Sequence, residues 1–117
     1  MNSKKFAKNL IDFIYNSPTA FHAVSTSKEL LDANGFIELE SCKMWDIKVD
    51  GKYYITKNSS AIVAFTVNSD NIEKEGFRII GSHSDSPSFR IKPNAEIESE
   101  KAYLKLNTEC YGGPILS

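Results

Sequence analysis

Apolar positions recur with helical spacing over the first third of the chain and with strand spacing after it. Phe6, Leu10, Phe13 and Ile14 fall at i, i+4, i+7 and i+8, one stripe, while Lys5, Lys8 and Asp12 face away. That spacing predicts a helix over residues 3–16. Asn16-Ser17-Pro18-Thr19 interrupts it, because the residue before a proline is pushed out of the α region. The same tetrapeptide predicts the start of a second helix, with Ser17 as its cap and Pro18 in its first position. This helix turns Phe21, Val24 and Leu31 inward and ends at Asn34-Gly35, a strong stop signal.

Period two then takes over. Residues 36–39 and 45–49 are short apolar/polar alternations, and Asp50-Gly51 signals a turn. Residues 53–56 and 62–67, β-branched and aromatic and separated by Asn58-Ser59-Ser60, predict an antiparallel hairpin. Residues 68–76 are polar and loop-like, with room for one helical turn. Residues 77–82 are apolar enough for a strand buried on both faces, and residues 102–106 alternate as another strand. Without repeats, low-complexity tracts or a linker, the chain reads as one unit. Its class is α/β, two helices followed by strands of a mixed sheet.

Charge and cysteine content narrow the function classes. A formal net charge of −1 over 117 residues gives no electrostatic case for nucleic acid or an anionic membrane surface. Lys4, Lys5 and Lys8 read as a solvated helix face. Cys42 and Cys110 are far apart and lack CxxC spacing, which excludes a thiolate zinc knuckle and a disulfide-stapled scaffold. Reduced, buried thiols are expected of them, as in a cytoplasmic protein. No stretch has transmembrane length, and Lys8, Asn9 and Asp12 interrupt any signal-peptide core.

Candidate chemistry concentrates after residue 79. An apolar run feeds into His83-Ser84-Asp85, with Ser82 and Ser86 alongside and Pro87 making the turn rigid. An imidazole past the end of a buried strand, at the sheet edge where α/β proteins place ligands, can bind a metal through one ring nitrogen. A carboxylate two residues on can fix the tautomer and orientation. The competing reading is a hydrogen-bonded structural histidine. A Ser/His/Asp nucleophilic triad is disfavoured, since neighbours at one strand end cannot converge and no Gly-x-Ser-x-Gly elbow is present. A catalytic zinc needs about three protein ligands, so one histidine leaves the set incomplete. His22 reads as a helix-terminal histidine, or else as a group at a site mouth or subunit contact. Arg90 and Lys92 share a face of an extended segment, either as an exposed salt-bridging strand or as contacts to acidic groups. Gly112-Gly113 lacks the context of a phosphate loop.

Four blocks, in order, resemble the aspartyl aminopeptidase/vacuolar aminopeptidase I family of zinc metallo-aminopeptidases. Ser17-Pro18-Thr19-Ala20-Phe21-His22 resembles the family's Ser-Pro-x-x-Phe-His signature, and Gly51-Lys52-Tyr53-Tyr54 with Asn58 its early hairpin. Ile80-Gly81-Ser82-His83-Ser84-Asp85-Ser86-Pro87 with Lys92-Pro93 resembles its Ala-His-Thr-Asp-Ser-Pro…Lys-Pro block, and Tyr111-Gly112-Gly113 the stretch before Trp-Phe-Asp-Arg.

The resemblance implies a cytoplasmic two-zinc exopeptidase acting on peptides, with acidic N-terminal residues as a plausible preference. It implies His83 as a zinc ligand and the catalytic Asp85 as the partner that orients the imidazole. Family members place the remaining ligands and a glutamate base downstream, insert a β-rich domain, and assemble into homo-oligomers, usually dodecamers. Residues 1–117 then correspond to the N-terminal portion of the catalytic domain, ending before the inserted domain, and the glycine-rich ending suggests truncation. The alternative is a non-catalytic interaction module or pseudoenzyme fragment that binds partners through exposed strand edges.

Overall fold

In a computed structural model, which describes residues 2–113, the chain divides into two compact units, residues 1–85 and residues 86–117. The absence of a linker predicts one unit. The division falls where the β-hairpin of the second unit closes its own hydrogen-bond ladder.

The first unit opens on two helices. α1 (Ser3–Asn16) is capped by Asn2, whose side chain accepts from the Lys4 N–H at 3.1 Å. Ser17 closes this helix, its N–H donating to the Ile14 carbonyl at 3.1 Å. α2 (Ala20–Ala33) is capped by Thr19, two residues later than the sequence predicts. Thr19 is extended and its hydroxyl accepts from the His22 N–H, so Pro18 precedes the helix and does not open it. Ser17 is already committed to ending α1, and its hydroxyl is buried without a partner among the described residues. The predicted stop holds: Asn34 caps α2, and Gly35 takes a φ of 78° that favours glycine.

A mixed sheet follows, in the order β1-β2-β3. β1 (Ile37–Glu38) runs parallel to β2 (Lys52–Lys57), with Ile37 opposite Tyr53. β2 pairs antiparallel with β3 (Ala61–Thr66), with Tyr53 opposite Phe65. The predicted hairpin is therefore present. Its tip turns through Asn58 and Ser59, both left-handed at φ 51° and 55°. Residues 45–49, read as an alternation, lie in the connection between β1 and β2.

The core centres on β2. Val24, Tyr53 and Tyr54 are the buried hydrophobics among the described residues. Adjacent strand residues point to opposite faces, so burial of both tyrosines means that both faces of β2 are covered. On one face the Tyr54 hydroxyl donates to Asp32 of α2 at 2.8 Å. On the other, the Tyr53 hydroxyl accepts from the Lys48 N–H at 3.0 Å, and its ring packs against Phe65 with centroids 5.7 Å apart. Gly51 is required here, since a β-carbon would run into the Tyr53 ring. Lys28 of α2 is paired with Glu38 of β1 at 3.0 Å, a second tie between helix and sheet.

After β3 a single turn, α3 (Ile72–Glu75), ends at Gly76, matching the expected helical turn. Residues 77–82 depart from expectation. They form no strand among the described residues, and Phe77, Ile79 and Ile80 are 78%, 86% and 99% exposed. A strand buried on both faces needs ladder partners and a layer on each side, and neither is present beside this run. Its apolar character is real; the partners that would use it are not among the described residues.

The second unit is an antiparallel hairpin of β4 (Ser88–Ser99) and β5 (Tyr103–Tyr111), the latter starting close to the predicted strand. The ladder is broken between Ile91 and Glu96, where four residues of β4 face Asn107 alone. Pro93 lies in that bulge, where a missing N–H removes no ladder bond. Arg90, expected to form ion pairs, stacks on the Tyr111 ring at 3.4 Å. Cys42 and Cys110 are free and exposed, correcting the expectation of buried thiols. No helix among the described residues is long and apolar enough to cross a membrane. The apolar residues after Gly113, read as the start of another element, lie outside the described residues.

Candidate metal centre

His83 and Asp85 sit at the end of the segment that leaves α3 through Gly76. The chain bends at Ser84, between them, and that bend brings Asp85 back to the imidazole. They do meet. His83 Nδ1 lies 2.7 Å from the Asp85 carbonyl oxygen and 3.2 Å from its Oδ1.

The shorter contact fixes which ring nitrogen donates. A carbonyl oxygen can only accept, so in the 2.7 Å contact Nδ1 is the donor, and Nε2 is the nitrogen on the far side of the ring. The His83 side chain is 80% exposed and that of Asp85 43%, so Nε2 is accessible and the pair is not a core contact. An Nε2 ligand whose Nδ1–H is held by oxygen is the usual form of a metal-binding imidazole.

Ser84, between them, has its partner elsewhere. Its hydroxyl donates to the Ser60 carbonyl at 3.0 Å, at the tip of the β2–β3 hairpin. Sequence reasoning treats Ser84 as one of several flanking polar residues. Its partner is 24 positions upstream, and nothing in either tripeptide signals the pairing.

His22 is positioned differently. Its Nδ1 lies 2.8 Å from the Thr19 hydroxyl, the group that caps α2. This is the helix-terminal role, and it ties the ring to the cap. A cavity of about 760 Å³ runs along β3 and the segment after α3, lined by residues including Phe36, Phe65, Ile72, Phe77 and Ile80. Its lining is mixed, with Thr66, Asn68, Glu75 and Arg78 beside the apolar side chains, and His83 is not part of its wall.

As a donor set, His83 and Asp85 fit one metal ligand with its orienting carboxylate. Among the described residues there is no group of three or more His, Cys, Asp or Glu side chains placed to hold a metal ion. The ligand set for a zinc centre, about three protein groups, is therefore only begun here.

Residues 13–117 match the family model described as aminopeptidase I zinc metalloprotease (M18). A probable M18 family aminopeptidase 2 from Clostridium novyi is 60% identical over 99% of this chain, which covers 27% of that relative. The chain thus spans about a quarter of the length of the curated relatives it matches. Among solved structures, mApe1 of S. cerevisiae, determined as a dodecamer, superposes with a TM-score of 0.83 at 31% identity, over 99% of this chain and 27% of that one. The M18 family aminopeptidase of Thermotoga maritima gives a TM-score of 0.80 at 32% identity, over 94% of this chain and 23% of its own.

Proposed function

Since the chain belongs to the aminopeptidase I zinc metalloprotease (M18) family, we propose that it supplies the first part of the metal centre of a zinc aminopeptidase. Residues 1–117 are then the N-terminal portion of the catalytic domain. His83 is a zinc ligand through Nε2, and Asp85 holds its Nδ1–H. The observation that carries this reading is the contact of His83 Nδ1 with the Asp85 carbonyl, at 2.7 Å, together with the exposure of the ring. It occupies Nδ1 and keeps Nε2 as the accessible nitrogen.

Two zinc ions, when bound, would polarise the scissile carbonyl of a peptide and lower the pKa of the attacking water. The role of this chain is more limited. His83 holds its lone pair toward the ion, and Asp85 keeps the proton at Nδ1 and the ring in one orientation. The other ligands and the general base come from residues outside these 117. Substrates are peptides, cleaved one residue at a time from the N-terminus, with acidic first residues preferred. A homo-oligomer is the assembled form, in line with the relative solved as a dodecamer. A cytoplasmic setting agrees with two free thiols, Cys42 and Cys110.

The test is His83→Ala in the whole protein, with zinc content and peptide hydrolysis measured together. Zinc content falls and activity is abolished if the reading is right, and near-normal turnover with full zinc would overturn it. Asp85→Asn keeps the carbonyl contact and removes only the carboxylate charge 3.2 Å from Nδ1, so it should retain much of the metal and lose about tenfold in rate, the lower end of outer-shell effects.

A further inference from the structure

We infer that Ser84 is a positioning residue for the His83 metal ligand, acting through its hydroxyl on the tip of the β2–β3 hairpin. The inference rests on the zinc reading above. Three observations carry it. Ser84 lies between the imidazole and its orienting partner, so the torsions at Ser84 set the distance between them. Its hydroxyl donates to the Ser60 carbonyl at 3.0 Å across 24 residues of sequence. The hairpin tip that offers this carbonyl is itself braced, with Asn58 and Ser59 locked in the left-handed region and Ser60 N–H donating back to Lys57 at 3.2 Å.

The bond ties the middle residue of His-x-Asp to a hairpin tip that is distant in sequence and fixed by its own turn. Residue 84 sits at a bend, and its hydroxyl reaches the hairpin while His83 and Asp85 contact each other. Ser84 touches neither metal nor substrate; it acts through the backbone on either side of it.

The test uses the whole protein purified with its zinc, and reads metal affinity by chelator competition together with kcat and KM. Ser84→Ala should weaken zinc retention by about tenfold, the lower end of outer-shell effects, and lower kcat with KM little changed. Ser84→Thr, which keeps the hydroxyl, should restore both. Ser84→Val has the shape of threonine without the hydroxyl and should behave like Ser84→Ala, which separates the hydrogen bond from packing. Ser60→Ala should change neither readout, because the acceptor is a backbone carbonyl. Wild-type zinc affinity in Ser84→Ala and Ser84→Val, with zinc lost in His83→Ala, would overturn this inference and leave the zinc reading standing. Failure of threonine to restore what valine loses would also overturn it. Zinc retained in His83→Ala would overturn the zinc reading itself.

Discussion

Replacing Tyr54 with phenylalanine separates the two ways in which α2 could be held on the sheet. Tyr54 is 1% exposed, and its hydroxyl donates to Asp32 at 2.8 Å. Tyr54→Phe keeps the buried ring and removes only the donor. Asp32 is exposed, so its carboxylate regains water when the phenol is gone. The loss should therefore equal one ordinary net hydrogen bond, about 0.5–1.5 kcal/mol, and not the larger penalty of a stranded buried charge. Tyr54→Ala also empties the ring site and should cost about 3–5 kcal/mol. Hydrogen exchange of amides in α2 and β2, followed by mass spectrometry, reads both. Tyr54→Phe should speed exchange by about 2- to 12-fold and Tyr54→Ala by more than about 100-fold, at 1.36 kcal/mol per factor of ten. Equal acceleration in the two variants would refute the argument that ring burial, and not the hydrogen bond, holds the helix.

Other outcomes follow from the same contacts. The Tyr54 phenol is pushed up from its ordinary 10.0 to about 12, by burial first, then by its hydrogen bond to Asp32 and the charges of Glu38 and Asp32. The fold thus favours the neutral phenol, so its contribution is intact below about pH 10 and is lost as pH rises toward 12. Tyr54→Phe should lack that alkaline loss, and an unchanged alkaline slope would contradict the assignment. Thr19→Ala should cost about 0.5–2 kcal/mol as loss of a helix cap, whereas Ser17→Ala, which removes a buried hydroxyl without a described partner, should be neutral or stabilising in thermal unfolding. The isolated 117-residue chain should associate in solution, since Phe77, Ile79, Ile80 and much of the α1 stripe are exposed. A strictly monomeric species in light scattering would count against this.

Local features were legible where the decisive interaction was local. The α1 stripe, the Asn34-Gly35 stop and the β2–β3 hairpin each depend on residues within a few positions of one another. The start of α2 was misplaced because Ser17 and Thr19 both satisfy the capping pattern, and only the geometry of the preceding helix decides between them. Residues 77–82 read as a strand because hydrophobicity reports a tendency to be buried, not the presence of the partners that bury it. Cys42 and Cys110 illustrate the same gap, small apolar side chains left on the outside. The contact between His83 and Asp85 was legible in their spacing. The proton on Nδ1 was not readable, since it depends on a backbone carbonyl that bends back toward the ring. Nor was the Ser84–Ser60 contact, which joins two polar stretches of no distinctive composition.

The bare segment before His83 bears on how tightly anything can bind there. Fixing the backbone of one residue costs about 1–2 kcal/mol in lost freedom, and residues 77–81 obtain no ladder bonds among the described residues to offset it. A ligand at His83 that also requires this run to be ordered binds with its intrinsic contact energy reduced by that entropy. Whatever pairs with the segment beforehand removes the reduction and tightens the site without touching it. Linkage makes the effect reciprocal: occupancy at His83 favours pairing of the strand by the same factor that pairing favours occupancy. Pairing of this segment and binding of any ligand that needs it ordered would then be two readings of one equilibrium.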